Sequence, residues 1–463
     1  MKTNPSKMDM DQINLGPTEW FKKFTIISNE ELELLETSSD GEIIIMDWKY
    51  TDIIIDDGNY TEYNNDNNDN DDDDDDYYVS NEYRKKLKSQ FNLRMIRMAP
   101  LFASQPRLKK ICKDWDNSFL PTCFKTYVFN RNENDSVSEI HEKANDLKYL
   151  INLCGSNLTS LDVTQYPISQ IMPIINANCP NLVELSLAFK EIMSQDFENV
   201  FSNMSHLTTL SIEWQCKNTT LPMTLAKSLE KIGGTLKSLN LSCTLKGNDI
   251  FSPDSLASVF PRLSALKYLT ISGFGLSQLL LQSIGEMKNL INLRLYSLWP
   301  KNHPMFDTRI NMYPIGNLKN LEKLWVDCDY SVRDEFLINL CDNAKKLTFL
   351  HIIGTHITDI GMSAINNLEQ LEYFILGSTY SIVGPRKNEF ITDKSIRCLF
   401  NQKLYSLDIS NCINITDKSV IKLVKNLPNL RSLFIENTKV TREAVKKIYE
   451  LTKLRKEPLV VYY

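Results

Sequence analysis

No stretch of this 463-residue chain approaches eighteen consecutive apolar residues, so nothing in it reads as a membrane-spanning helix. The first twenty residues, Met1 to Trp20, lack the apolar core of a secretory signal. Ten cysteines occur without one Cys-x-x-Cys, and histidines number only five, so neither a disulfide framework nor a zinc site is expected. No phosphate-binding glycine loop, paired-carboxylate motif or nucleophile motif is recognisable, which speaks against an enzyme and implies no cofactor. A reducing compartment, cytoplasm or nucleus, is the expectation. Positive charge is missing from Asp52 to Asp76, where twelve acidic residues fall without a Lys or Arg. The formal charge of −6 is therefore local, and the remaining residues sum to +6. Spread over so long a chain, that excess is too thin to predict a phosphate-tracking stripe, so no nucleic-acid partner is expected.

What the chain has instead is one pattern repeated eleven times, apolar-x-x-apolar-x-apolar. The copies begin at Leu158, Leu182, Leu207, Leu236, Leu266, Leu290, Leu321, Leu347, Leu371, Leu404 and Leu430. Their steps run from 24 to 33 residues, overlapping the leucine-rich-repeat period of about 20–29. The last two apolar residues of each copy lie two apart, so they share one face of a short strand and point inward. Segments of helical spacing follow, such as Ser419, Val420, Leu423, Val424 and Leu427. Another is Asp334, Phe336, Leu337, Leu340 and Cys341. The fold class expected is α/β, a horseshoe solenoid with a parallel sheet on the concave side and helices on the convex side.

Four regions follow. Residues 1–82 are expected to be largely disordered, with an Asn/Asp-rich tract at 56–76 that cannot bury apolar area. Residues 83–130 are basic and apolar and read as helical. Residues 131–157 form a linker and capping helix, with Leu147, Leu150, Ile151 and Cys154 on one stripe. Residues 158–463 form the solenoid of 11 or 12 units, closed by Leu459 to Tyr463 as a terminal strand, with Leu454 as a candidate start for a degenerate twelfth unit. Cys179, Cys243, Cys328, Cys341, Cys398 and Cys412 sit beside the framework, where a thiol acts as a small buried hydrophobe.

Within the second region Leu108, Ile111, Cys112 and Trp115 fall at i, i+3, i+4 and i+7. An ordinary amphipathic helix packing on the first repeats accounts for that spacing. The string Leu108-x-x-Ile-Cys-Lys-x-Trp115 also resembles the second half of an F-box. The repeats resemble those of F-box/leucine-rich-repeat proteins: Cys179-Pro-Asn-Leu182, Cys154-Gly-Ser-Asn-Leu158 and Leu407 through Cys412 to Asp417 match that family's cysteine-containing units. Phe91 to Gln105 carries no Leu-Pro opening, so either the box is divergent, or an insertion carrying the acidic tract splits it from an alternative first half at Ile27 to Leu35, or it no longer docks. The resemblance implies a non-catalytic substrate-recognition subunit of a cullin–RING ubiquitin ligase, a monomer within its complex. Leu108, Ile111, Cys112 and Trp115 would contact the adaptor subunit or form the box's own core, and the repeats would hold a protein substrate. A free-standing repeat scaffold is the alternative.

Repeat phase alone marks the partner face, since residues two and four after each first leucine point to solvent. In early copies these are small or polar: Ser160, Asp162, Glu184, Ser186, Thr209, Ser211, Ser238 and Asn240. From the fifth copy they become Tyr268, Asn292, Arg294, Lys323, Trp325, Phe349, His351, Tyr373 and Ile375, with Tyr296 at a strand end. Aromatic and Arg side chains dominate binding hot spots, so Tyr268, Arg294, Tyr296, Lys323, Trp325, Phe349, His351 and Tyr373 are the candidate substrate contacts. His351 beside Tyr373 would serve as an acid–base pair only with a third, orienting group, and none is evident. Two longer units, Trp299 to Tyr313 and Tyr380 to Phe390, are candidate walls of the same site.

Overall fold

The computed structural model describes residues 125–129, 136–166, 168–216, 223–244, 254–296, 310–327, 332–354, 356–376 and 387–463. The acidic tract, most of the 83–130 segment and Cys328 lie outside these residues. The chain divides into two compact units, Met1–Asp162 and Val163–Tyr463.

The first unit contains strand β1 (Thr126–Val128), helix α1 (Val137–Cys154) and the start of strand β2 (Ser160–Val163). The two strands run parallel, with Tyr127 opposite Leu161. The apolar stripe expected of the capping helix is present, because Leu147, Leu150, Ile151 and Cys154 are all buried. The end of the 83–130 segment is a strand rather than helix. Thr126, Tyr127 and Val128 are β-branched or aromatic and favour a pleated surface.

The second unit is a leucine-rich-repeat solenoid. Its main strands are β3 (Glu184–Phe189), β4 (Thr209–Trp214), β5 (Ser238–Cys243), β6 (Tyr268–Ser272), β7 (Asn292–Tyr296) and β8 (Lys323–Asp327). They continue as β9 (Phe349–Ile352), β10 (Tyr373–Ile375), β12 (Ser406–Asp408), β14 (Ser432–Phe434) and β15 (Val460–Tyr462). Each pairs in parallel with its sequence neighbour in this series. Strands β11 (Asn388–Thr392) and β13 (Cys412–Asn414) make a separate two-stranded sheet. Every strand from β2 that belongs to one of the eleven copies starts two residues after that copy's first leucine, and all the framework apolar residues are buried. Burial in the parallel layer thus follows directly from the spacing.

The helices are α2 (Met172–Asn178), α3 (Met223–Leu229), α4 (Gln278–Gly285), α5 (Asp334–Asn343), α6 (Asp359–Ala364), α7 (Asp393–Ile396), α8 (Asp417–Asn426) and α9 (Arg442–Thr452). The helical segments read from spacing are confirmed, with Phe336, Leu337, Leu340 and Cys341 buried in α5 and Ser419, Val420, Leu423 and Val424 in α8.

Leu454 does not begin a twelfth unit, since it is 92% exposed. Register places Val460 beside Ser432 and Val461 beside Leu433, so Val461 takes the framework position. Leu459 and Val461 are buried, and β15 pairs with β14 as the last strand of the described sheet. Cys398 is exposed, contrary to its expected burial, because it lies just past the end of α7 on the solvent side. Cys179, Cys243, Cys341 and Cys412 are buried, and burial pushes the Cys179 and Cys341 thiols up to about 12.

A hydrogen-bonded ladder joins the helix starts of the last five units. Both oxygens of Asp334 accept from Thr358, from its N–H at 2.8 Å and its hydroxyl at 2.5 Å. Asp359 accepts in the same way from Thr392, Asp393 from Thr416, and Asp417 from Thr441. Thr358, Thr392 and Thr441 also accept from the first turns of their own helices, so each is an N-cap. Burial raises the Asp359 carboxyl, but hydrogen bonds from Ser395 and Thr392 hold it below the usual carboxylate range.

Gly273, just past β6, has φ +71°, and a Cβ there would lie 1.9 Å from the Cys243 carbonyl oxygen. Only glycine fits this close approach of two turns.

Candidate functional site

Parallel pairing without register shift aligns the outward residues into rows across the sheet. One row runs Tyr268, Asn292, Lys323, Phe349, Tyr373 and Ser406. The next runs Thr270, Arg294, Trp325, His351, Ile375 and Asp408. A third places Tyr296 beside Asp327. Because strands lie about 4.8 Å apart, aromatic residues on successive rungs must touch.

They do. Tyr296 and Trp325 have ring centroids 5.8 Å apart, Trp325 and Phe349 5.5 Å, Phe349 and Tyr373 6.1 Å, and Tyr373 and Tyr405 5.6 Å. Trp325 also stacks on His351, at 4.2 Å with planes 13° from parallel. The candidates Tyr296, Trp325, Phe349, His351 and Tyr373 thus form one continuous ladder over β7 to β10. Arg294 pairs with Trp325 in register, and Lys323 pairs with Phe349. Tyr268 is 46% exposed and stands one strand beyond Asn292, set apart from the ladder. Rings locked by neighbours on rigid strands lose little further freedom on binding.

His351 is the exception to the outward reading. It points to the sheet's solvent side yet is only 9% exposed, lying beneath the Trp325 ring. Burial lowers its imidazole pKa to about 4, and its Nδ1 has no hydrogen-bond partner among the described residues. It is therefore a neutral ring in a stack.

The face changes character along the array. Glu184, Thr209, Ser211, Ser238 and Asn240 occupy the early strands, and Asn240 donates to Ser211 at 3.1 Å. Beyond the ladder, Asp408 faces out between Ile375 and Phe434, its carboxyl raised by burial and by the nearby Glu436 charge. Phe434 and Tyr462 then form a second stack, 4.3 Å apart and 4° from parallel.

Two of these contributors escaped the sequence reading. Tyr405 directly follows its first leucine, outside the positions counted as outward. Phe434 sits four after Leu430, where repeat phase points to it. The adaptor candidates Leu108, Ile111, Cys112 and Trp115 lie outside the described residues. Most of both long segments does too, although Ile310 and Met312 are buried and so belong to the core rather than to a site wall. Among the described residues no group of three His, Cys, Asp or Glu could hold a metal ion, and no helix is long and apolar enough to cross a membrane.

No family model matches the chain. A Caenorhabditis elegans protein described as "Putative RNA-binding protein EEED8.10" is 24% identical over 335 residues, 62% of this chain and 44% of that protein. The Candida albicans "Antagonist of mitotic exit network protein 1" is 26% identical over 199 residues, 39% of this chain and 30% of that protein. The chain therefore spans less than half the length of these curated relatives. Among solved structures, a chain of the yeast Rad7 and Elc1 complex is similar with 18% identity and a TM-score of 0.34, covering 70% of this chain and 94% of that one. A chain of the mouse RP105/MD-1 complex is similar with 16% identity and a TM-score of 0.37, covering 66% and 47%.

Proposed function

We propose that the chain is a non-catalytic protein-binding adaptor whose contact surface is the aromatic ladder from Tyr296 to Tyr405. The observation that carries this is the ladder itself: four strands, β7 to β10, and the residue before β12 hold Tyr296, Trp325, Phe349, Tyr373 and Tyr405 in contact on the solvent side of the sheet. Aromatic residues with no core to fill are costly on a free surface, and their burial by a partner recovers that cost. Arg294 and Lys323 beside them add charge that orients a partner.

The finer reading is substrate recognition for a cullin–RING ubiquitin ligase in the cytoplasm or nucleus. Its support is the sequence resemblance: the F-box-like string from Leu108 to Trp115 precedes repeats with the cysteine-containing pattern. In this reading Leu108, Ile111, Cys112 and Trp115 dock the ligase adaptor subunit, the ladder holds a protein substrate, and the chain forms no covalent bond itself.

The test is co-purification of the full chain with the ligase adaptor subunit, beside a variant carrying Ile111→Asp and Trp115→Ala. The expected result is adaptor binding by the wild type and its loss in a variant that melts at the same temperature. Absence of binding by the wild type would overturn the ligase reading and leave a free-standing repeat scaffold that uses the same ladder.

A further inference from the structure

We propose that the helix side of the last three repeat units binds the phosphates of a single-stranded nucleic acid. Residues 387–463 hold fifteen Lys and Arg against eight Asp and Glu, a net of +7. Charge that looks thin along the whole sequence is concentrated by the fold. Helix α7 packs against α8 and α8 against α9, so their solvent faces adjoin. Lys394 and Arg397 stand on or just past α7, Lys418, Lys422 and Lys425 on α8, and Arg442, Lys446 and Lys447 on α9, all exposed. On α8 the three lysines fall at i, i+4 and i+7, one line along the face opposite buried Val420, Leu423 and Val424.

The acidic residues on the same helices are fewer: Asp393 (which interacts with Arg397), Asp417 and Glu443 stand against the eight cations, and Glu450 pairs with Lys453 at 2.7 Å. Among the described residues none of the eight cations forms a salt bridge. Such a surface attracts a polyanion through release of condensed counterions.

One observation favours nucleic acid over an acidic protein. Phe400, 58% exposed, and Tyr449, 44% exposed, lie in the same three units and offer ring faces on which unpaired bases stack.

The experiment is fluorescence anisotropy of the full chain with a labelled oligothymidylate of about 20 nucleotides, titrated over a range of salt concentrations. Poly-glutamate serves as competitor. The variants are Lys418→Glu/Lys422→Glu/Lys446→Glu and the milder Lys418→Gln/Lys422→Gln/Lys446→Gln, each checked for an unchanged melting curve. Wild type is expected to bind with affinity that falls steeply with salt. The Glu triple should lose at least about tenfold, with the Gln triple between, and the log–log salt slope should shrink by about 2 for three phosphate contacts removed. Three results would overturn the proposal: no binding at low salt, equal binding by the folded Glu triple, or displacement by poly-glutamate at matched charge. The last would make an acidic protein the partner.

Discussion

Trp325 and His351 lie on adjacent strands with their rings 4.2 Å apart and 13° from parallel, the tightest contact in the ladder. The indole shields the imidazole from water, and burial of that ring lowers its pKa to about 4.

The imidazole pKa is depressed from 6.5 to about 4 in the folded chain, so the unfolded chain binds the proton more readily between those values. The stability contributed by neutral His351 is complete above pH 6.5 and is lost as pH falls toward 4. The loss approaches about 3 kcal/mol at the lower limit. Urea unfolding at successive pH values should show this decline in the wild type. His351→Phe, which keeps the stack without the titrating group, should flatten it. An unchanged slope in the Phe variant would refute the assignment.

Trp325 contacts Tyr296, Phe349 and His351 at once, so its removal opens the centre of the ladder. Trp325→Ala should weaken capture of the protein partner by about 2 kcal/mol, roughly thirtyfold. Ser211→Ala, on the early polar strands, should leave it unchanged. Comparison of partner dissociation rates for the two variants decides the matter.

Asp359 accepts the Thr392 N–H and hydroxyl and the Ser395 hydroxyl. Asp359→Ala leaves those donors without their acceptor and should destabilise the solenoid by about 2–3 kcal/mol. Asp359→Asn keeps the shape and part of the bonding and should cost less. Thermal unfolding of both variants at neutral pH provides the comparison.

Gly273→Ala places a methyl against the Cys243 carbonyl at a left-handed backbone position. A loss of about 2–4 kcal/mol is expected, because neither turn can move without disturbing its strand. Gly234, at which an added Cβ meets nothing within 4 Å, is the matched control and should change by less than about 1 kcal/mol.

Legibility followed the physics of spacing. Leu182, Leu185 and Leu187 declare a strand and its inward face because burial repeats every second residue, and the same arithmetic located Trp325, Phe349 and Tyr373 on the solvent side. Spacing says nothing about what a neighbouring rung does. Thus His351, counted as outward, is covered by Trp325, and Tyr405 joins the ladder from a position that phase does not mark. Leu454 misled because leucine content mimics the framework, whereas β15 takes its register from pairing with β14. The acid–threonine ladder left a trace in the sequence as a recurring Ile-Thr-Asp, at Asp359, Asp393 and Asp417. Its meaning lies between units, in hydrogen bonds from Thr416 to Asp393 and from Thr441 to Asp417 that no single repeat contains.

That ladder is also a standard connector. Each of the three middle units, at Thr358-Asp359, Thr392-Asp393 and Thr416-Asp417, offers a carboxylate forward and a threonine backward, so the plug of one fits the socket of the next. A second copy of the stretch from Asp393 to Thr416, inserted in tandem, would meet a matching Thr–Asp junction at both ends. The array can therefore grow in the middle by whole units, whereas Arg442, standing where an aspartate would follow Thr441, supplies no plug for a further one.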